Sequence, residues 1–213
     1  VALVTGPGVG IGRAIAESLS AAGACVAVHC HQSVSEANSV VEGIRDQGGK
    51  AIMLQADLAD AEQAPTLVQQ TVTEFGRLDI LINNAGIWGA SVADDDLDKS
   101  LDDYEKIVGT NLKGEYLFGR AVIPIMIARG TGGEIINIAT DHMVTCGTPY
   151  FCCPKLDNCP WGDSPRPTGG GDAMDLYDAS KWALNGFLYG WAKALAPHNI
   201  RVNALCMGAT DSF

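Results

Sequence analysis

Tyr177 and Lys181 stand four residues apart in the stretch Tyr177-Asp178-Ala179-Ser180-Lys181. On a helix of about 3.6 residues per turn, that spacing sets a phenol and an ammonium on one face, one turn apart. A free tyrosine, with a pKa of about 10, stays protonated at neutral pH. A cation beside it favours the phenolate, so such a pair can release a proton and take one back. Alone the pattern is weak, because a half-exposed tyrosine near a solvated lysine has the same spacing. A second candidate lies near the other end of the chain, in Thr5-Gly6-Pro7-Gly8-Val9-Gly10-Ile11-Gly12. Glycines there let the backbone turn sharply and approach a ligand. The N-terminus of the helix that follows offers free N–H groups and a positive dipole end, which suits a pyrophosphate. The spacing is not the strict G-x-G-x-x-G of dinucleotide binders, so an ordinary glycine-rich βα turn is the competing reading.

The elements that must position these groups show as an alternation of short apolar runs and longer segments of helical period. Strands are expected over Val1–Thr5, Ala24–His29, Ala51–Gln55, Ile80–Asn83, Glu134–Ala139 and Arg201–Cys206. Helices are expected over Gly12–Ala22, Ser35–Gln47, Ala61–Phe75, Leu101–Arg129 and Tyr177–Ala196. Asp60 is placed to cap the third of these, and Pro65 falls in its first turn, where a helix tolerates it. The repeated β-α order implies an α/β fold: a Rossmann-type doubly wound parallel sheet in a three-layer α/β/α sandwich. Strands apolar throughout, such as Ile80-Leu81-Ile82, fit burial on both faces. One domain is expected over residues 1–213. Within it, residues 142–175 are rich in Pro, Gly and Cys, lack a clear period and read as an insertion or lid.

In order along these elements stand Thr5-Gly6-x-x-x-Gly10-Ile11-Gly12, Asp57-Leu58, Asn83-Asn84-Ala85-Gly86, Asn111 and Tyr177-x-x-x-Lys181. Together they resemble the short-chain dehydrogenase/reductase (SDR) family over nearly the whole chain except the insertion. The resemblance implies a turn at Gly6, Gly10, Ile11 and Gly12 that holds the cofactor phosphates. It implies that Asp57 contacts the adenine with Leu58 beside it, and that Asn84, Ala85 and Gly86 line the adenosine ribose and support the sheet. Tyr177 would be the general acid/base, and Lys181 would lower its pKa and hold the nicotinamide ribose. Asn111 would hold a water that links Lys181 to solvent. Blander readings stand beside two of these: Asp57 as a strand-end turn residue, and Asn111 as a side chain bonding its own helix.

The chain departs from the family pattern in three places. A serine usually follows the strand before the catalytic helix; here Thr140 stands there, keeping a hydroxyl but adding a methyl and a stiffer χ1. Thr140 is expected to serve, with Asp141 as rival. The gap from Thr140 to Tyr177 is far longer than usual, and Tyr150, Phe151 and Trp161 in it could wall a substrate pocket. His142, Cys146, Cys152, Cys153 and Cys159 also fall there, but their spacing matches none of the paired zinc motifs. Thiols without metal are expected. Late in the chain, Met207 replaces the proline usual before Gly208. Ser212 falls where a threonine commonly meets the nicotinamide carboxamide. Residues beyond Phe213 are expected from the same resemblance.

NAD specificity usually comes from a carboxylate at the end of the second strand. That strand ends Val28-His29-Cys30-His31-Gln32-Ser33, with Cys30 at the acidic position. A 2′-phosphate would meet no repulsion, and His31, Gln32 or Ser33 could donate to it. No arginine precedes Gly10, where Val9 stands. NADP is therefore preferred to NAD. The expected activity is hydride transfer between nicotinamide and a secondary alcohol/ketone carbon. A catalytically impaired nucleotide-binding regulatory protein on the same fold is an alternative, as is an epimerase or dehydratase.

Composition sets outer bounds. The 213 residues are 47% hydrophobic, include 25 glycines and carry a formal net charge of −11. An acidic chain of this kind argues against nucleic acid or an anionic membrane as main partner. The longest apolar stretch, near Ala121 to Ala128, is far short of the roughly 20 residues of a membrane span. Seven cysteines, an odd number, fit reduced thiols in a cytoplasmic protein. No signal peptide is legible, and the opening Val1-Ala2-Leu3-Val4 leads us to expect further residues before it. A homodimer or homotetramer is expected from the family resemblance, through the helices near Asn111 and Tyr177.

Overall fold

The structure, a computed structural model, describes residues 1–140, 174–208 and 210. Six strands form one parallel sheet: β1 Ala2–Thr5, β2 Val26–Cys30, β3 Ala51–Gln55, β4 Ile80–Asn83, β5 Gly133–Thr140 and β6 Ile200–Met207. Their order across the sheet is β3-β2-β1-β4-β5-β6. The helices are α1 Gly10–Ala21, α2 Val34–Asp46, α3 Gln63–Phe75, α4 Leu97–Val108, α5 Glu115–Arg129 and α6 Asp175–Leu195. This is the doubly wound Rossmann arrangement, with the chain reversing direction across the sheet between β1 and β4.

Successive residues of a strand point to opposite faces, so neighbouring apolar residues feed different cores. Leu3, Leu81 and Ile135 pack with Leu67 of α3 and with Phe118 and Val122 of α5. Val4, Ile82 and Val28 pack with Ala16 of α1 and with Val40 and Ile44 of α2. That two-sided burial explains why the strands read as continuous apolar runs rather than alternating ones. Among the described residues no helix is long and apolar enough to cross a membrane.

Two local expectations are corrected. The segment Leu101–Arg129 is not one helix. It starts earlier, at Leu97, where the Asp96 carboxylate accepts the Lys99 N–H at 2.9 Å. It is then interrupted by a π-helical turn over Gly109–Gly114 before α5 begins. A cap hidden in the acidic run Asp94-Asp95-Asp96 is not separable from its neighbours by composition. The third helix starts at Gln63 rather than Ala61, with Glu62 as its N-cap residue. Asp60 acts one step earlier, accepting from the Glu62 N–H at 2.8 Å and from the Gln63 amide at 2.7 Å.

Candidate active site

A cleft of about 830 Å³ lies beyond the C-terminal ends of β1, β2, β3 and β4. Its floor is the glycine turn, with Gly6, Gly10, Ile11 and Gly12 all lining it. Gly6 has φ +63°, and a Cβ there would lie 2.9 Å from the Ala85 Cα. A Cβ on Gly12 would run into the Asn84 amide and come within 2.8 Å of the Gly6 carbonyl. These contacts hold the turn flat against the β4 end. Thr5 completes the join: its Oγ1 accepts from the N–H groups of Asn84 and Ala85, each at 3.0 Å, and donates to the Ile82 carbonyl at 3.3 Å. The Asn84 amide donates to the carbonyls of Thr5 and Gly6 at 2.9 and 3.0 Å. Asn84 thus braces the turn with its side chain, while Asn84, Ala85 and Gly86 also form cleft wall.

The opposite wall carries Cys30, His31, Gln32 and Ser33 from the end of β2, and Asp57 and Leu58 after β3. No acidic side chain stands at the β2 end, as read from the sequence. Asp57 does act as a turn residue, its Oδ1 accepting from the Ala59 N–H at 2.9 Å, and it faces the cleft as well. His29, behind this wall, is buried, with Nε2 3.1 Å from the Ala56 carbonyl and no partner for Nδ1 among the described residues. Burial drops its pKa to about 4, so the ring is neutral at pH 7 and Nε2 carries the proton.

The π-helical turn places Asn111. Its Oδ1 accepts from the Ile87 N–H at 2.8 Å, while Nδ2 donates to the Ile87 carbonyl at 2.9 Å and to Ser180 Oγ at 3.2 Å. The alternative of a bond within its own helix is therefore wrong: Asn111 ties the β4–α4 loop to α6. π-turns of this kind widen a helix locally and recur at functional sites. Here Gly114 is needed because a Cβ would meet Leu58 Cβ at 2.9 Å.

On α6, Tyr177 is half-buried and Lys181 is buried. The Tyr177 carbonyl accepts from Ser180 Oγ at 2.7 Å. The Lys181 ammonium donates to the Ile138 carbonyl at 2.8 Å and to Glu115 Oε1 at 3.3 Å. It also lies 3.5 Å from where a Cβ on Gly86 would stand. Thr140 is buried at the end of β5, in register with Met207 of β6, and Gly208 follows that strand exposed. Asp141, residues 142–173 with their histidine and cysteines, and Ser212 lie outside the described residues; the expected insertion ends earlier than read, because Met174 bridges Ser91 and Asp175 opens α6.

Three residues that shape the site escaped the sequence reading: Thr5 as a hub, Ser180 and Glu115. A signal existed for Glu115. Phe118, Gly119, Val122, Ile123 and Met126 mark the buried face of α5, and stepping back at that period lands on Glu115.

A family model described as short chain dehydrogenase matches residues 1–150 and 167–213. An uncharacterized oxidoreductase of Methylorubrum extorquens is 37% identical over 208 residues, covering 98% of this chain and 72% of its own. A 3-oxoacyl-[acyl-carrier-protein] reductase of Synechocystis is 36% identical over 213 residues, 99% of this chain and 75% of its own. A short chain dehydrogenase of Burkholderia cenocepacia, solved in complex with NADP, superposes with a TM-score of 0.80 at 36% identity. That match covers 99% of this chain and 74% of the other. The chain belongs to the short-chain dehydrogenase/reductase family and is an oxidoreductase of that type.

Proposed function

We propose that this protein interconverts a secondary alcohol and a ketone with NADP or NAD, using Tyr177 as general acid/base. The observation that carries the reading is a shared wall. Gly86 lines the cleft that begins at the glycine turn, and the same residue abuts the ammonium of Lys181, one helical turn beyond Tyr177. A dinucleotide fits the cleft because Gly6, Gly8, Gly10 and Gly12, the turn being packed against Ala85 and Asn84, line it without side chains, and because α1 begins there at Gly10. When bound, the cofactor supplies or accepts the hydride.

The chain's own residues handle the rest. Tyr177 donates its proton to the carbonyl oxygen in reduction and takes one from the hydroxyl in oxidation. Lys181 has two of its three N–H donors engaged by Ile138 and Glu115, which leaves one for a ribose hydroxyl. Its charge favours the phenolate of Tyr177. Thr140 offers the hydroxyl that orients the substrate oxygen. Asn111 fixes the Ile87 backbone beside the pair and stands where the family places the proton relay. Asp57 and Leu58 take the adenine, and Ser212 takes the carboxamide.

The missing carboxylate at Cys30, with His31, Gln32 and Ser33 beside it, favours NADP over NAD. The NADP bound by the Burkholderia relative supports that preference. Exposed Tyr116 on α5 and exposed Trp182 and Tyr189 on α6 support a homodimer or homotetramer. The test is a panel of secondary alcohols and ketones with NADPH and NADH at equal concentration. Turnover faster with NADPH is expected; turnover with neither cofactor on any substrate contradicts the reading.

A further inference from the structure

Glu115 is the only buried acid among the described residues, and it meets Lys181. Their side chains are 3% and 4% exposed, with Oε1 3.3 Å from the ammonium. Oε2 has no hydrogen-bond partner among the described residues. A single long contact does not offset the cost of holding a carboxylate away from water with one oxygen unserved. The layer around it is short of partners too. Asn83 and Asn137 pair across β4 and β5, leaving Asn83 Oδ1 and Asn137 Nδ2 unmatched. Strand alternation turns both toward the α5 side, with Leu81 and Ile135. One unmatched acceptor and one unmatched donor therefore already exist in this layer. Of the charged and titratable groups facing α5, Lys181 comes from α6. His29 comes from β2, across the Phe118 ring, and is neutral. The π-turn presents Asn111, and α3 presents Leu67, Val68 and Thr71.

We infer that Glu115 is a positioning residue for Lys181 that works as an uncharged acid, fixing the ammonium with Ile138 while leaving its charge uncancelled toward Tyr177. This rests on the reading of Tyr177 and Lys181 as the proton-handling pair. Burial pushes the Glu115 carboxyl up to about 8, and the Lys181 charge opposes that rise only in part. Above that pH the carboxylate forms, cancels part of the lysine's charge and makes Tyr177 a weaker acid.

Infrared difference spectra of wild type against Glu115→Gln read the charge state without turnover. The expected result is a protonated-carboxyl C=O band at neutral pH that vanishes as pH rises through about 8. A carboxylate band in its place at neutral pH overturns the inference. In kinetics, Glu115→Leu is expected to lower kcat by about tenfold or more through misplacement of Lys181. Glu115→Gln should recover most of that loss and erase the alkaline inflection. Loss of thermal stability in both variants, with kcat and pH profile unmoved, makes Glu115 merely structural and also overturns it. A wild type without turnover would sink the Tyr177/Lys181 reading instead, and the infrared band would still decide the state of Glu115.

Discussion

The glycine turn and the first turns of α6 hold their functional groups by opposite means. Around Gly6–Gly12 the fit is steric and backbone-based. Glycines press against Ala85 and Asn84, and the polar side chains Thr5 and Asn84 have well-formed hydrogen bonds of 2.9 to 3.3 Å. Around α6 the fit is polar and incomplete. Two buried polar pairs, Asn111 with Ser180 and Lys181 with Glu115, sit side by side, and the second leaves Glu115 Oε2 without a partner among the described residues. The first region can therefore be rigid without titrating. The second owes its geometry to groups whose charge can change.

The comparison makes changes at α6 chemical and changes at the turn steric. Tyr177→Phe should show the largest effect, lowering turnover by on the order of 10²–10⁴ while cofactor affinity, read by fluorescence titration, stays close to that of wild type. Thr140→Val should follow, losing roughly 10- to 100-fold in turnover, with Thr140→Ser recovering most of it and cofactor binding surviving in both; unchanged turnover in the valine variant would remove Thr140 from the mechanism. In the turn, Gly12→Ala should raise the cofactor Kd by at least about tenfold and cost about 1–3 kcal/mol in denaturant unfolding.

Titration sharpens the contrast further. The folded pKa of Glu115 is raised from 4.5 to about 8, so its stabilising share is full below 4.5 and is lost as pH rises through 8. The melting temperature of wild type relative to Glu115→Gln should fall across that window. His29 runs the other way. Its folded pKa is lowered from 6.5 to about 4, so its share is full above 6.5 and is lost as pH falls through 4. An acid limb in the melting curve that His29→Gln flattens would confirm this. The smallest effect belongs to Gly43→Ala in α2, where a Cβ meets nothing within 4 Å; it should gain up to about 1 kcal/mol.

Much of this arrangement is legible in the residues. Continuous apolar runs give the strands, and the glycine cluster after β1 marks where the sheet opens. Asn84, Asn111, Tyr177 and Lys181 are legible through their order along the chain. What escapes is set by contacts far apart in sequence. The π-turn over Gly109–Gly114 is invisible to a helical period because its neighbours on both sides keep that period. Asp60 reads as a cap because local sequence does not tell whether the helix begins at the next residue or two later. Glu115 falls on the apolar period of α5, but its role escapes because its partner, Lys181, lies 66 residues away.

The most direct measurement follows the nicotinamide absorbance of NADPH mixed with a ketone panel, for wild type and Tyr177→Phe side by side. Consumption by wild type, and none above background by a Tyr177→Phe protein that still binds NADPH, is the predicted result. Equal consumption by the two would contradict the assignment of Tyr177 as the proton donor, and with it the account of the site.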